Sequence, residues 1–272
     1  MPNLTHNPLL SFSDVWVHGN CPVPISTDKR FFGIGINRHR KSVRQLKSSE
    51  AAQDNDKPLL IKAATGELLS GQLTALTGHS GSGKSVLLRV LAGLAPYTKG
   101  DIWVHEKNKQ LNSNDMPATH WRTQVALLAQ HPQLIEGSVL DNLKLPYTLQ
   151  SHRHRTFDME WHIKQLALLG RHQKLLQQSA AHLSGGERQL VNTLRLLQLQ
   201  PQVLLLDEPT AALDADTAHH FIQWLMQWLQ AEPQRTLLWV THDTQAIMPF
   251  ADKHWHMNSG VLTDITINKS KK

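Results

Sequence analysis

Residues 78–85, Gly78-His79-Ser80-Gly81-Ser82-Gly83-Lys84-Ser85, satisfy the pattern G-x-x-x-x-G-K-[ST] at every fixed position. Each residue type suits phosphate. Glycines let the backbone curl until successive N–H groups point at one anion, and a helix starting there adds its partial positive charge. Lys84 can reach the β- and γ-phosphates of a nucleotide, and the Ser85 hydroxyl can ligate Mg²⁺. Further along, an apolar run over residues 203–206 ends in Asp207-Glu208. Asp207 is expected to hold Mg²⁺, leaving Glu208 free to take a proton from an attacking water. A third group is Leu183-Ser184-Gly185-Gly186-Glu187, with Ser184 lying 23 residues before Asp207. Ser184 and Glu187 have the spacing of a capping box. The two glycines leave bare N–H groups at a positive helix end, which suits a γ-phosphate.

These groups need strands and helices to place them. An apolar strand over 73–77 precedes the glycine loop and a helix over 86–92 follows it. The run 203–206 reads as a buried strand whose C-terminal end delivers the two acids beside that loop, where ligands collect in parallel sheets. A first strand spans 9–17, with apolar Leu10, Phe12, Val15 and Val17, and regular structure resumes at 59–63. From there short apolar strands alternate with helical patterns, which predicts an α/β sheet. Residues 139–181 are helical in pattern, with leucines at helical spacing over 163–169. They predict a helical subdomain, spanning 138–200, set into a single domain of residues 1–272. Residues 20–56 carry Lys29, Arg30, Arg38, Arg40, Lys41, Arg44 and Lys47 with almost no hydrophobic periodicity. They read as a basic, flexible insert.

The bulk composition narrows the class. With 272 residues, 40% of them hydrophobic, the chain can bury a sizeable core. The formal net charge of +6 fits nucleic acid, an anionic membrane surface or a phosphate-rich ligand without choosing among them. The single cysteine, Cys21, allows no internal disulfide and fits a reducing cytosol. Residues 1–10 have neither the basic start nor the apolar core of a signal peptide. The longest apolar runs fall far short of the ~20 residues of a membrane span, so work at a membrane is expected to go through a partner. The chain has 17 histidines, among them His152 and His154, His219-His220, and His254 and His256. None has the cysteine or acid neighbours of a metal site, and they read as surface groups.

With these motifs in this order, the sequence resembles the ABC ATPase family over nearly all its length apart from residues 20–56. Gln130 follows the strand 125–129, where the family has its Q-loop. Ala212-Leu213-Asp214 resembles the D-loop, and His242 follows the strand 237–241 as the family's switch histidine does. The resemblance implies an α/β fold, a P-loop NTPase core of the ABC ATPase type with an inserted helical subdomain. It implies two nucleotide-binding domains paired head to tail, as a homodimer. ATP would lie between residues 78–85 of one and Ser184, Gly185 and Gly186 of the other, with Asp214 also at the nucleotide. Glu208, His242 and Gln130 would be catalytic: His242 would bind the γ-phosphate, and Gln130 would touch Mg²⁺ or the water. Mg²⁺ would fall to Ser85, Gln130 and Asp207. The family stacks an aromatic near the end of the first strand on adenine. Here Trp16 and His18 share one strand face, and Trp16 is the preferred candidate.

The implied partner is an integral-membrane permease, with this chain peripheral on the cytoplasmic face of the inner membrane. The stretches 121–125, 129–134, 137–143 and 237–243 resemble the bacterial iron-efflux branch of the Fet type. Import of an amino acid or phosphate is the rival within transport. From a different class, a soluble ABC ATPase acting on DNA or the ribosome would use the basic segment 29–47. One P-loop and no heptad arm speak against it, and nucleic acid is not the expected partner.

Overall fold

The computed structural model describes residues 7–19, 58–106, 109–131 and 133–266. The basic segment 20–56 lies outside them. Along the described chain run β1 (Pro8–His18), β2 (Leu59–Leu69), β3 (Leu73–Thr77), α1 (Lys84–Leu91), β4 (Lys99–Glu106), β5 (Lys109–Asn112), α2 (Ala118–Gln124) and β6 (Val125–Leu128). Then follow α3 (Val139–Lys144), α4 (Met159–Leu168), α5 (Gly185–Leu197), β7 (Val203–Asp207), α6 (Ala215–Ala231), β8 (Thr236–Val240), α7 (Thr244–Ile247), β9 (Lys253–Asn258) and β10 (Val261–Ile265). The helix after the glycine loop starts two residues earlier than the apolar pattern places it, at Lys84. This is the mixed α/β architecture that the alternation implies.

The strands form two sheets. One is antiparallel, in the order β2-β1-β4-β5; the other has six strands in the order β10-β9-β3-β8-β7-β6. Within the second, neighbours from β9 to β6 are parallel, and β10 alone runs antiparallel at the edge. Every residue of β3, β7 and β8 is buried. Both faces of these strands are covered, which is why they are mostly apolar, with Thr74, Thr77 and Thr236 buried among them. Alternation still decides which side each residue serves. Leu73, Ala75, Leu204, Leu206, Leu237 and Trp239 pack toward α5, α6 and the leucines of α3 and α4. Leu76, Val203, Leu205, Leu238 and Val240 pack toward α1 and the antiparallel sheet.

Within residues 139–197, the helical pattern resolves into α3, α4 and α5, separated by turns and short 3-10 segments. The helices form because their ends are capped and their leucines share one stripe. Ser138 and Asp141 close a capping box on α3, and Asp158 accepts the Trp161 N–H at 2.9 Å to start α4. Leu143, Leu166, Leu190, Leu194 and Leu197 carry the apolar face into the sheet. A buried polar link crosses it: Gln198 donates to the Leu143 carbonyl at 2.9 Å and meets His162 Nε2 at 2.8 Å. Burial pushes the His162 imidazole's pKa down. Among the described residues no helix is long and apolar enough to cross a membrane.

Candidate functional site

Four adjacent strands, in the order β3-β8-β7-β6, end on the same edge of the parallel sheet. The glycine loop leaves β3, His242 follows β8, Asp207 and Glu208 close β7, and Gln130 follows β6. Residues far apart in sequence thus meet because their strands are neighbours.

The loop is held by close backbone approach. Gly78 has φ +146°, and a Cβ there would lie 2.1 Å from the Met257 carbonyl oxygen of β9. No side chain fits, so Gly78→Ala is expected to lower stability by about 2 kcal/mol or more, read as a drop in thermal midpoint. Gly185→Ala is the contrast, because its Cβ would meet only Ala212 Cβ at an ordinary 3.6 Å. An unchanged midpoint for Gly78→Ala would show that the loop is not packed in this way.

Lys84 is buried, and its Nζ donates to the carbonyls of Gly78 at 2.7 Å and His79 at 2.9 Å. Its ammonium therefore spans the loop mouth. Burial pushes its pKa down, while the nearby carboxylates of Glu208 and Asp207 oppose this. Among the described residues, the buried Ser82 Oγ has no hydrogen-bond partner, a spare hydroxyl within an anion cradle. Asp207 is buried, and burial raises its pKa; a hydrogen bond to the Ser85 side chain works against the shift, and Glu208 adds to it. A buried carboxylate with a raised pKa, bonded to a hydroxyl, offers hard oxygen donors of the kind Mg²⁺ takes and charge that a cation would stabilise. The residues present fit the ion.

Glu208 has φ 49°, a left-handed backbone that costs a non-glycine residue strain. Its N–H donates to the Val240 carbonyl at 3.1 Å, which ties the strained turn to β8. Gln130 Nε2 donates to Glu208 Oε2 at 3.1 Å, and His242 Nε2 lies 2.8 Å from Glu208 Oε1. Amide, carboxylate and imidazole form one connected row beside Lys84.

Ser184, Gly185, Gly186 and Asp214 form a separate group. Ser184 caps α5: its Oγ accepts the Glu187 N–H at 3.2 Å, and Glu187 Oε2 accepts the Ser184 N–H at 2.9 Å. Gly186 is packed, because a Cβ there would meet Leu213 Cδ2 at 3.0 Å and the Ala212 carbonyl at 3.3 Å. Asp214 caps α6 by accepting the Thr217 N–H at 2.9 Å, a bond that holds its carboxyl below the usual range. Among the described residues, the hydrogen bonds of Ser184 and Asp214 run to Glu187, Arg188, Thr217 and Ala218, not to residues 78–85.

Trp16 and His18 are half-buried on one face of β1, alternating with buried Val15 and Val17. The end of β1 reaches the loop through β2, since Val17 pairs with Ile61 and a Cβ on Gly83 would lie 2.8 Å from the Leu60 carbonyl. The Trp16 indole donates to Asp14 Oδ1 at 2.6 Å and carries Lys99 Nζ 5.7 Å from its ring centroid. The His18 ring meets Thr98 Oγ1 at 3.1 Å. One pair was missed by sequence reasoning. Thr77 Oγ1, directly before the loop, lies 2.8 Å from His254 Nε2 and 3.1 Å from His256 Nδ1. The shared strand face of the two histidines was the available signal, but not their contact with β3.

Known proteins are similar to this chain in sequence and in fold. The ABC transporter family profile matches residues 61–211. YjkB of Bacillus subtilis is 34% identical over 214 residues, 78% of this chain and 81% of that protein. The sulfate/thiosulfate import ATP-binding protein CysA of Escherichia coli K12 is 37% identical over 198 residues, 71% of this chain and 52% of CysA. The chain thus spans about half the length of that relative. Among solved structures, the dimeric bacterial ABC transporter cassette MJ0796 aligns with a TM-score of 0.71 at 20% identity, covering 95% of this chain and 99% of that one, a likeness of fold. On the family match and these identities, the chain belongs to the ABC transporter family, as an ATP-binding subunit.

Proposed function

We propose that the chain is the ATP-driven motor of a transporter whose membrane path lies in a separate permease, and that residues 78–85 with Asp207, Glu208, Gln130 and His242 perform the hydrolysis. The observation that carries this is the convergence of Gln130 and His242 on the Glu208 carboxylate, beside Lys84. Loop N–H groups and Lys84 bind the β- and γ-phosphates. Ser85, Asp207 and Gln130 would hold Mg²⁺, which would supply charge neutralisation. Glu208 takes the proton of the attacking water. Gln130 and His242 hold its carboxylate in place; His242 also reaches the γ-phosphate.

Ser184, Gly185 and Gly186 belong to this site through a second copy. Within one chain the Ser184 hydrogen bonds stay on its own helix, and the bare helix end fits a γ-phosphate presented from outside. Head-to-tail pairing of two copies supplies it to both sites at once; the dimeric MJ0796 cassette supports this reading. Asp214, at the adjoining turn, holds that interface through its cap on α6. Trp16 is the proposed adenine platform, with Asp14 holding its indole N–H and Lys99 over its ring.

For the cargo, the relatives favour the importer side, since CysA is named for sulfate/thiosulfate import. The iron-efflux reading rests on the local stretches alone. Permease docking, and with it a place on the cytoplasmic face of the membrane, is tested by mild-detergent extraction of native membranes with this chain as bait. A multi-span permease is expected to co-purify, and its type sets the solutes to assay. A ribosomal or DNA-bound set of partners without a permease would overturn the transport role.

A further inference from the structure

Among the described residues between β6 and α3, the backbone pairing is one bridge, Ser138 with Ser179, so other polar groups of this segment must be satisfied by side chains. Among the side chains that do this, two come from α3 and α5. Asn142 of α3, fully buried, accepts the Ile135 N–H at 2.8 Å and donates to the carbonyls of Ile135 and Ser138, each at 3.0 Å. Arg195, in the last turn of α5, donates through Nη2 to the Gln133 carbonyl at 2.8 Å and to Asn192 Oδ1. Both of these acceptors are neutral, and burial pushes the Arg195 pKa down. Gln198, three residues on, binds α5 to the Leu143 carbonyl and to His162.

The other end of α5 carries Ser184, Gly185 and Gly186. A helix of 13 residues is a rod of about 20 Å, so its two ends move together. Gln133 is three residues from Gln130, a tether of at most about 11 Å. We infer that Arg195 is a positioning residue that ties the phosphate-facing end of α5 to Gln130. Displacement of α5 when a second copy's nucleotide meets Ser184–Gly186 shifts Gln133, and through it the Gln130 amide on Glu208. The inference rests on the catalytic reading of Gln130 given above.

The test is a double-mutant cycle on the full chain, reading steady ATPase turnover and KM for ATP. Arg195→Met is expected to lower kcat about tenfold, with KM within about twofold, because it touches neither phosphate nor adenine. In a Gln130→Ala background the same substitution is expected to cost under about twofold, since the tether then has nothing to position. Arg195→Lys, which keeps the charge and one donor, should recover part of the loss. Equal losses in both backgrounds would mark Arg195 as merely structural and overturn the inference, as would an unchanged kcat for Arg195→Met. A normal turnover for Gln130→Ala alone would instead remove the catalytic reading of Gln130. Should thermal unfolding show that Arg195→Met does not fold, Arg195→Lys carries the same cycle with the same criterion of non-additivity.

Discussion

Glu208→Gln is expected to lose steady ATP turnover by about a thousandfold while ATP affinity holds, the range expected when a positioned general base is removed. The carboxamide has nearly the shape of the carboxylate, and the backbone bond to Val240 that fixes the strained turn is untouched. What changes is basicity and pairing. Glu208 takes the Gln130 N–H on one oxygen and meets His242 on the other; an amide has one acceptor atom for the two. Lost negative charge also matters to Asp207, whose pKa Glu208 helps to raise. With Glu208 neutral, the Asp207 pKa falls back toward its ordinary value. Asp207 is then ionised, and ready for Mg²⁺, down to lower pH than in the wild type. Binding without hydrolysis should hold two copies together, so sedimentation in ATP should show a dimer that persists, against a transient one for the wild type. Phosphate release at the wild-type rate would remove Glu208 from the mechanism.

The parts of this site that were legible in the sequence are those in which one short segment does the work. Residues 78–85 announce themselves because the glycines, Lys84 and Ser85 must be adjacent to curl around phosphate. The strand before Asp207 is legible because burial on both faces leaves it wholly apolar. The antiparallel sheet was harder to read. β4 and β5 are half-exposed strands rich in Lys, Asp, Glu and Gln, so their alternation is weak. β1 is broken by Asp14 at φ 50°, where its register with β2 and β4 shifts. The row Gln130–Glu208–His242 could be expected only through family resemblance. Its members sit in three separate loops, brought together by strand order, and periodicity says nothing about which strands are neighbours. Arg195 gave no signal at all. An arginine in the last turn of a helix reads as a solvated charge favoured by the dipole, and only the fold shows a loop carbonyl waiting for it.

Lys84→Ala should give the opposite phenotype to Glu208→Gln: binding lost, rather than binding without turnover. A charge-assisted hydrogen bond inside a closed loop contributes about 2–3 kcal/mol, so ATP affinity is expected to fall about a hundredfold, read by titration with a fluorescent nucleotide. Lys84 already donates to the Gly78 and His79 carbonyls. Those contacts brace the loop without ligand, and phosphate oxygens offer the same ammonium a charged acceptor in place of neutral ones. The mutant's thermal midpoint should therefore fall far less than that of Gly78→Ala, because the lost carbonyl partners stand at the loop mouth, where water can replace the ammonium. Lys84 also holds the Asp207 pKa down. Without it that carboxyl rises further, and residual Mg²⁺-dependent binding should weaken more steeply as pH is lowered. ADP tests the assignment of the contact. A lysine that reaches both the β- and γ-phosphates loses part of its role with ADP, so the substitution should weaken ADP binding less than ATP binding. Equal losses would confine Lys84 to the β-phosphate, and unchanged affinity for both would mean that residues 78–85 are not the phosphate cradle.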